Sequence, residues 1–407
     1  MRMTMLNCPK LNLFGRCVEL FCLMGIMPDL PDGSNKSGWL YKIFSFLMYY
    51  SGCLFNMFEF VNLLQIFLSK KEGTLEMAIT NYMLASLHLT GLLKCALSKG
   101  KIGAKYMQKV INFERKVYVS ENKELITIYE NNSKDFRKTA AGYFIGVFMV
   151  IVCYGSSSLI RSKQYVMIAN ITYETNQVPL QIWSPFNQYT QFILTYLWCL
   201  LIGAQLAFFF VAGDLVCFGY SIFALCRLKI LKYFIMSFFE KAKEIRHQLN
   251  CDETESYRIL QRECIIMHQE IISFVDSLNS HIKYIMLMDF LPGSIQLAAL
   301  LYQLINNLNM IQMVLIGEFL LTLTVRFFIY CLNANKINEQ SQMIGTVWYQ
   351  IDWTVLPEDL KKNIFICVNR TQKPLSISMG DFQDISLVTF VSIMKGAYTY
   401  MMFLTTF

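Results

Sequence analysis

Seven apolar runs, each long enough to cross a lipid bilayer, dominate this chain of 407 residues. They extend from about Trp39 to Leu68, Leu75 to Leu97, Thr139 to Ile160, Gln191 to Tyr220, Tyr284 to Ile305, Leu308 to Leu332, and Phe382 to Phe407. A hydrocarbon core about 30 Å thick needs about 20 residues of α-helix. A membrane β-barrel needs something else, alternating apolar and polar positions over segments of about ten residues. Several runs exceed 20 residues, so they tilt or project beyond the bilayer. The expected fold is an all-α membrane protein with seven transmembrane helices.

Composition excludes the alternatives. Apolar residues make up 55% and charged residues 16%, against about 45–50% and about 25% in a soluble domain. That much apolar surface rules out dominant disorder. The formal charge is +7 without a basic block, so no nucleic-acid partner is expected. The 13 cysteines are scattered without a CxxC pair, which speaks against a zinc or redox framework. Most sit in or beside apolar runs and act there as small apolar residues.

Orientation follows from the basic residues. Segments 1–38, 98–138, 221–283 and 333–375 hold 28 of the 36 Lys and Arg. These segments are read as cytoplasmic, which puts the N-terminus inside and the C-terminus outside. A G-protein-coupled receptor has the opposite orientation. Of the sequons at Asn35, Asn131, Asn170 and Asn369, only Asn170 falls outside in this arrangement.

The chain divides accordingly. Residues 1–38 form a cytoplasmic, amphipathic N-terminal segment with a helix ending at Pro28. It is not expected to be a signal peptide, because Leu20–Met27 is short and Arg16 and Glu19 interrupt the stretch before it. Residues 39–220 carry transmembrane helices 1–4, and 284–332 carry helices 5 and 6. Between them, 221–283 reads as cytoplasmic helical extensions, with Ile259, Leu260, Ile265, Ile266, Ile271 and Ile272 at near-helical spacing among both signs of charge. Residues 333–375 add an amphipathic stretch with Trp348, Trp353 and Ile364. Together these segments either pack into a cytoplasmic anchor domain or lie on the inner leaflet. Residues 376–407 carry helix 7.

Catalytic chemistry is missing. There is no Walker loop, dinucleotide fingerprint, HExxH or GxSxG, and His88, His247, His268 and His281 are dispersed. An enzyme is therefore not expected, nor a cofactor or metal site. Ionisable residues inside spans are candidate functional positions, with polar packing as the plain alternative. Glu59, Asp214 and Glu318 are the ones hardest to dismiss. Lys94 and Arg326, near the cytoplasmic ends of their spans, are expected to snorkel. Glu318 and Arg326 lie about 12 Å apart along one helix and cannot pair. Asp381 and Asp384 open the last helix, where they either favour its N-terminus or attract cations.

The C-terminal residues resemble a known family. Phe382-Gln383-Asp384-Ile385-Ser386-Leu387-Val388-Thr389-Phe390 is similar to the run opening the last helix of insect odorant receptors. Ile393-Met394-Lys395-Gly396-Ala397-Tyr398-Thr399-Tyr400 continues it. Trp348-Tyr349, Trp353 and Arg370-Thr371-Gln372-Lys373-Pro374-Leu375 resemble the family's cytoplasmic anchor helix. Met24-Gly25-Ile26-Met27-Pro28 is similar to its N-terminal pattern. The chain lacks the long loop between spans four and five that marks the shared co-receptor. A ligand-tuning subunit is therefore implied.

The resemblance implies a tetrameric, odorant-gated, non-selective cation channel. It would assemble with co-receptor subunits through the anchor, in the plasma membrane of sensory-neuron dendrites. Ser392, Gly396, Thr399, Phe403 and Phe407 share one face of the last helix. Small and hydroxyl residues there suit a water-filled path, and the two phenylalanines suit a hydrophobic gate. Ordinary helix packing is the alternative. The implied ligand is a small apolar volatile, held in the outer halves of spans two to six. Candidate contacts are Ile79, Tyr82, Met83 and Ser86, then Ile151 and Tyr154, then Phe192, Tyr196 and Leu197, then Met310, Met313, Val314 and Gly317. Thr399-Tyr400 and Phe407 also fit the ending of the related gustatory receptors, although Thr406 stands where those have Gln. A homotetrameric gustatory-type channel, or a transporter, remains open.

Overall fold

A computed structural model describes residues 11–27, 39–69, 74–160, 164–168, 171–176, 178–180, 182–306 and 309–406. Its helices are α1 (Cys17–Leu23), α2 (Trp39–Ser69), α3 (Thr74–Lys99), α4 (Lys101–Val119), α5 (Lys123–Ile160), α6 (Phe192–Met236), α7 (Phe238–Leu249), α8 (Glu253–Asn306), α9 (Met310–Gln350), α10 (Glu358–Thr371) and α11 (Leu387–Thr406). Two antiparallel ribbons accompany them, β1 (Gln164–Ile168) with β2 (Ile171–Thr175) and β3 (Ser378–Met379) with β4 (Gln383–Asp384).

Five helices, α2, α5, α6, α8 and α9, are long and apolar enough to cross a membrane. Helix α3 carries Glu76, Lys94 and Lys99 among its apolar residues, and α11 is a shorter apolar helix. Together the seven form one bundle. Its two ends are named here for what they carry: β1–β2 marks the hairpin end, and α7 and α10 mark the anchor end.

Helix α6 takes the centre. Its apolar stretch has no polar face, which suits either lipid or a surround of protein, and here neighbouring helices supply the surround. Of its most apolar stretch 67% is buried, against 22% for peripheral α2. Close contact between α3 and α6 depends on two glycines. A Cβ on Gly91 would sit 2.6 Å from the Phe210 Cα, and one on Gly213 would sit 2.8 Å from the Gly91 carbonyl oxygen. Small residues let two backbones approach where lipid supplies little drive for association.

Several helices continue without a break beyond their apolar runs. Helix α5 starts sixteen residues before the apolar run at Thr139, while α6, α8 and α9 reach into the anchor end. There they pack rather than lie apart. Trp348 is 1% exposed, and its ring lies 6.0 Å from that of fully buried Phe238. Gln261 on α8 donates to the Leu360 carbonyl at 2.9 Å and accepts from Asn363 at 3.0 Å. The stretch expected as one anchor helix is the end of α9, a 3-10 turn at Trp353–Val355, and α10.

Three expectations change. The N-terminal helix is only seven residues long and ends at Leu23 rather than at Pro28, with Val18, Phe21 and Cys22 buried and Arg16 and Glu19 exposed. Phe14 is fully buried and packs edge-on against Phe136 and Tyr220. The last helix begins at Leu387 rather than near Phe382, because Gln383 and Asp384 pair with β3 and Ser386 caps the helix through the Thr389 amide at 3.2 Å. Asp381 therefore does not open the helix. It holds Lys283 of α8 at 2.5 Å and accepts from Tyr284 at 3.0 Å. The loop after α5 carries a β-hairpin that was not expected, while Asn170, Asn35 and Pro28 lie outside the described residues.

Candidate functional site: an apolar cavity above a buried ion cluster

A cavity of about 100 Å³ opens in the hairpin-end half of the bundle. Helix α3 contributes Leu84, Leu87 and His88 to its wall. Helix α5 contributes Val147, Val150, Ile151, Tyr154 and Gly155. Leu200, Gly203, Ala204, Ala207 and Phe210 come from α6, and Phe319, Thr322 and Leu323 from α9. Pro179 and Leu180, from the loop before α6, complete it. The space exists because α6 presents glycine and alanine on this face where its neighbours present large side chains. Leu180 fits against Gly203 so closely that a Cβ there would meet it at 2.2 Å.

Polar groups on the wall are few. Tyr154 sets its ring edge-on to Phe319, with centroids 6.3 Å apart. Thr322 donates its hydroxyl to the Glu318 carbonyl at 2.9 Å. His88 is fastened from behind by Glu59 of α2, with Nδ1 at 2.8 Å from Oε1. Apolar walls with a few placed polar groups are the usual make-up of a small-molecule site.

Directly beneath lies a cluster of four charges, all with fully buried side chains. Asp214 of α6 accepts from Lys94 at 2.7 Å and from Arg326 Nε at 2.6 Å. Tyr143 and Tyr330 donate to the same carboxylate at 2.6 and 2.7 Å. Asp289 of α8 accepts from Lys94 at 2.5 Å, from Thr90 at 3.1 Å and from Arg326 Nη2. Two cations and two anions cancel. Buried ions persist when they are paired, and here Arg326 Nη1 has no hydrogen-bond partner among the described residues. The Phe210 ring, part of the cavity wall, covers the guanidinium with its centroid 4.6 Å from Cζ.

The candidate residues are distributed unevenly. Ile151 and Tyr154 line the cavity, and Tyr196 reaches its edge by donating to the Gly155 carbonyl at 3.3 Å. Met83 and Ser86 are buried on α3 but do not line it. Tyr82, Leu197, Met310 and Val314 are exposed on the outside of the chain, between 46% and 75%. Phe192, Met313 and Gly317 also lie away from the cavity, and Gly317 faces open space. The side chain of Ile79 lies outside the described residues. Those candidates that miss the cavity sit one or two turns too near the hairpin end, or on the opposite helix face.

Lys94 and Arg326 do not snorkel. Their charges turn inward because Asp214 and Asp289 wait there. Asp214 is the hub of that cluster, Glu59 holds His88, and Glu318 Oε2 has no hydrogen-bond partner among the described residues. On α11, Ser392, Thr399 and Phe403 are exposed, and nothing lies within 4 Å of a Cβ placed on Gly396. Both hydroxyls donate along their own helix, Ser392 to Val388 at 3.0 Å and Thr399 to Lys395 at 2.9 Å. Phe407 lies outside the described residues.

Comparison with known proteins completes the description. The family model described as 7tm Odorant receptor matches residues 104–398. This chain belongs to the insect odorant receptor family. Odorant receptor Or2 of Anopheles gambiae is 30% identical over 139 residues, 34% of this chain and 37% of that protein. The odorant receptor coreceptor of Ooceraea biroi is 29% identical over 139 residues, 34% of this chain and 29% of that one. Each alignment thus spans less than half of the relative's length. The olfactory receptor OR5 of Machilis hrabei, solved in complex with eugenol, superposes with a TM-score of 0.75 at 16% identity, covering 96% of this chain and 97% of that one. That likeness gives the seven-helix odorant receptor fold. Members of this family are receptors, not enzymes.

Proposed function

We propose that this odorant receptor is the odorant-binding, tuning subunit of a heterotetrameric, ligand-gated, non-selective cation channel. The observation that carries the reading is the apolar cavity enclosed by α3, α5, α6 and α9, above a fully buried ion cluster. Its lining suits a small, mostly apolar volatile ligand, as eugenol is in the complex of the Machilis hrabei receptor.

The assembly is supported by surfaces that a lone subunit leaves uncovered. At the anchor end, Tyr349, Val355, Phe365 and Ile366 are between 61% and 73% exposed. Apolar exposure of this extent marks interaction surfaces. On α11, Ser392, Thr399 and Phe403 are exposed and share one helix face with Gly396. That face would line a central path with helix hydroxyls and a phenylalanine gate at Phe403, continued by Phe407. Co-receptor chains among the relatives support odorant receptor co-receptor subunits as the partners. The anchor end, rich in basic residues, is the cytoplasmic one, which puts the N-terminus inside and the C-terminus outside. The site of action is the plasma membrane of sensory-neuron dendrites.

The test is odorant-evoked current in cells expressing this chain with and without a coreceptor. Cation current that requires both chains and an odorant supports the reading. Current without the coreceptor turns it into that of a self-sufficient homotetramer. Saturable solute uptake without conductance would replace it with a transporter.

A further inference from the structure

One polar edge of the cavity has a chemistry that its neighbours assign. His88 on α3 is 7% exposed and Glu59 on α2 is 2% exposed. The His88 Nδ1 lies 2.8 Å from Glu59 Oε1 and 3.0 Å from Oε2. Asn56 donates its Nδ2 to Oε2 at 3.0 Å and to the Ala85 carbonyl at 3.0 Å. An amide nitrogen is a donor only, and an ionised carboxylate is an acceptor only. An ionised Glu59 is the receiving partner in this group, and Nδ1 is then the nitrogen that carries the proton. In a neutral imidazole the other nitrogen is then an acceptor.

That other nitrogen, Nε2, is the remaining polar atom of a ring that lines the cavity. Two neighbouring polar groups already have a partner, though each oxygen keeps a lone pair. Thr322 gives its hydroxyl proton to Glu318, and the Gly155 carbonyl receives Tyr196. The wall thus offers an acceptor, set in otherwise apolar surroundings, to whatever enters. We propose that the cavity takes small apolar alcohols and phenols, which donate their hydroxyl proton to His88 Nε2 in the tautomer imposed by Glu59. This deepens the reading of the cavity as the odorant site and rests on it. An ether or hydrocarbon of the same shape would leave the imidazole acceptor dry and unmatched. A polar wall group rejects such an analogue far more strongly than a missing methylene does.

The experiment uses paired probes in cells co-expressing this chain and a coreceptor, with surface expression followed by an external tag. Hexanol, octanol and phenol are each compared with their methyl ethers. Each hydroxyl compound is expected to be at least about tenfold more potent than its ether, a ratio equivalent to one lost hydrogen bond. The ratio should collapse toward one in His88→Phe, and in His88→Leu if the phenylalanine variant fails to reach the surface. Glu59→Gln should shrink it as well, because an amide can donate to Nδ1 and release the tautomer.

Equal potency of alcohols and ethers in the wild type overturns the assignment while leaving an odorant-gated channel in place. A ratio that survives His88→Phe also overturns it. Silence to all six probes from protein at the cell surface overturns both readings.

Discussion

Phe210 and Arg326 join the two halves of the site. The Phe210 ring closes the floor of the cavity on one side and covers the guanidinium on the other, with 4.6 Å between ring centroid and Cζ. An occupant pressing on this ring acts on the residue that bridges Asp214 and Asp289. Phe210→Ala should therefore do two things. It enlarges the cavity, shifting odorant potency by about tenfold, and it removes the cover of a buried ion, raising ligand-independent current. Dose–response curves and basal current in one recording check both. Phe210→Leu should show a smaller version of the same pair of effects. A core Phe→Ala costs about 3–5 kcal/mol, so surface expression is measured alongside.

The cluster should reward charge balance above charge itself. Asp289→Asn alone leaves one cation in excess in a dry interior, at a cost of about 3–5 kcal/mol. Adding Lys94→Met restores neutrality and should recover a large part of that loss. Thermal unfolding of detergent-solubilised protein reads the difference. A double variant less stable than Asp289→Asn would show that balance is not what counts.

At the helix crossing, bulk should not be tolerated. Gly213→Val thrusts a side chain into the Gly91 backbone and the Lys94 stem, and should abolish folded receptor at the cell surface. Gly142→Ala on α5, where nothing lies within 4 Å of the new Cβ, is the matched control and should fold. Quantitative surface labelling separates them.

Leu180 acts as a lid residue by its position over Gly203. Leu180→Ala should widen the cavity and favour bulkier probes over compact ones. Comparing hexanol with decanol before and after the substitution checks this, with the potency order expected to shift toward the longer chain.

The turn before α11 should respond to acid. Hydrogen bonds from Lys283 and Tyr284 hold the Asp381 carboxyl below the usual carboxylate range. A depressed carboxyl stabilises the tie above its ordinary titration range, and the tie is lost as pH falls through the lowered value. Asp381→Asn should reproduce at neutral pH the gating change that strongly acidic medium on that face produces in wild type. Recordings from excised patches give access to either face.

Much of the architecture is legible from periodicity alone. Apolar runs of about 20 residues announce helices, and a change to mixed charges announces their extension beyond the lipid. Pairing between distant positions is not legible in this way. Lys94, Asp214, Asp289 and Arg326 come from four helices, and only the packing of α3, α6, α8 and α9 brings them together. Arg326 looked ready to snorkel because its partners lie 112 and 37 residues away. The cavity shows the same limit. Ile151 and Tyr154 were within reach from span direction, whereas His88 was set aside as a dispersed histidine. Its signal was Glu59, an intramembrane acid in need of a partner. The Gly203 and Ala204 face of α6 carried a second signal, small residues where a packed helix would present large ones.

Two acids and two bases in the floor of the cavity sum to zero. Were the floor to shift as a unit under an occupant, no net charge would travel along the membrane field, and energy from that field scales with the charge moved. A neutral floor of this kind would leave a ligand's push, rather than the cell's electrical state, as the input to this part of the proposed channel.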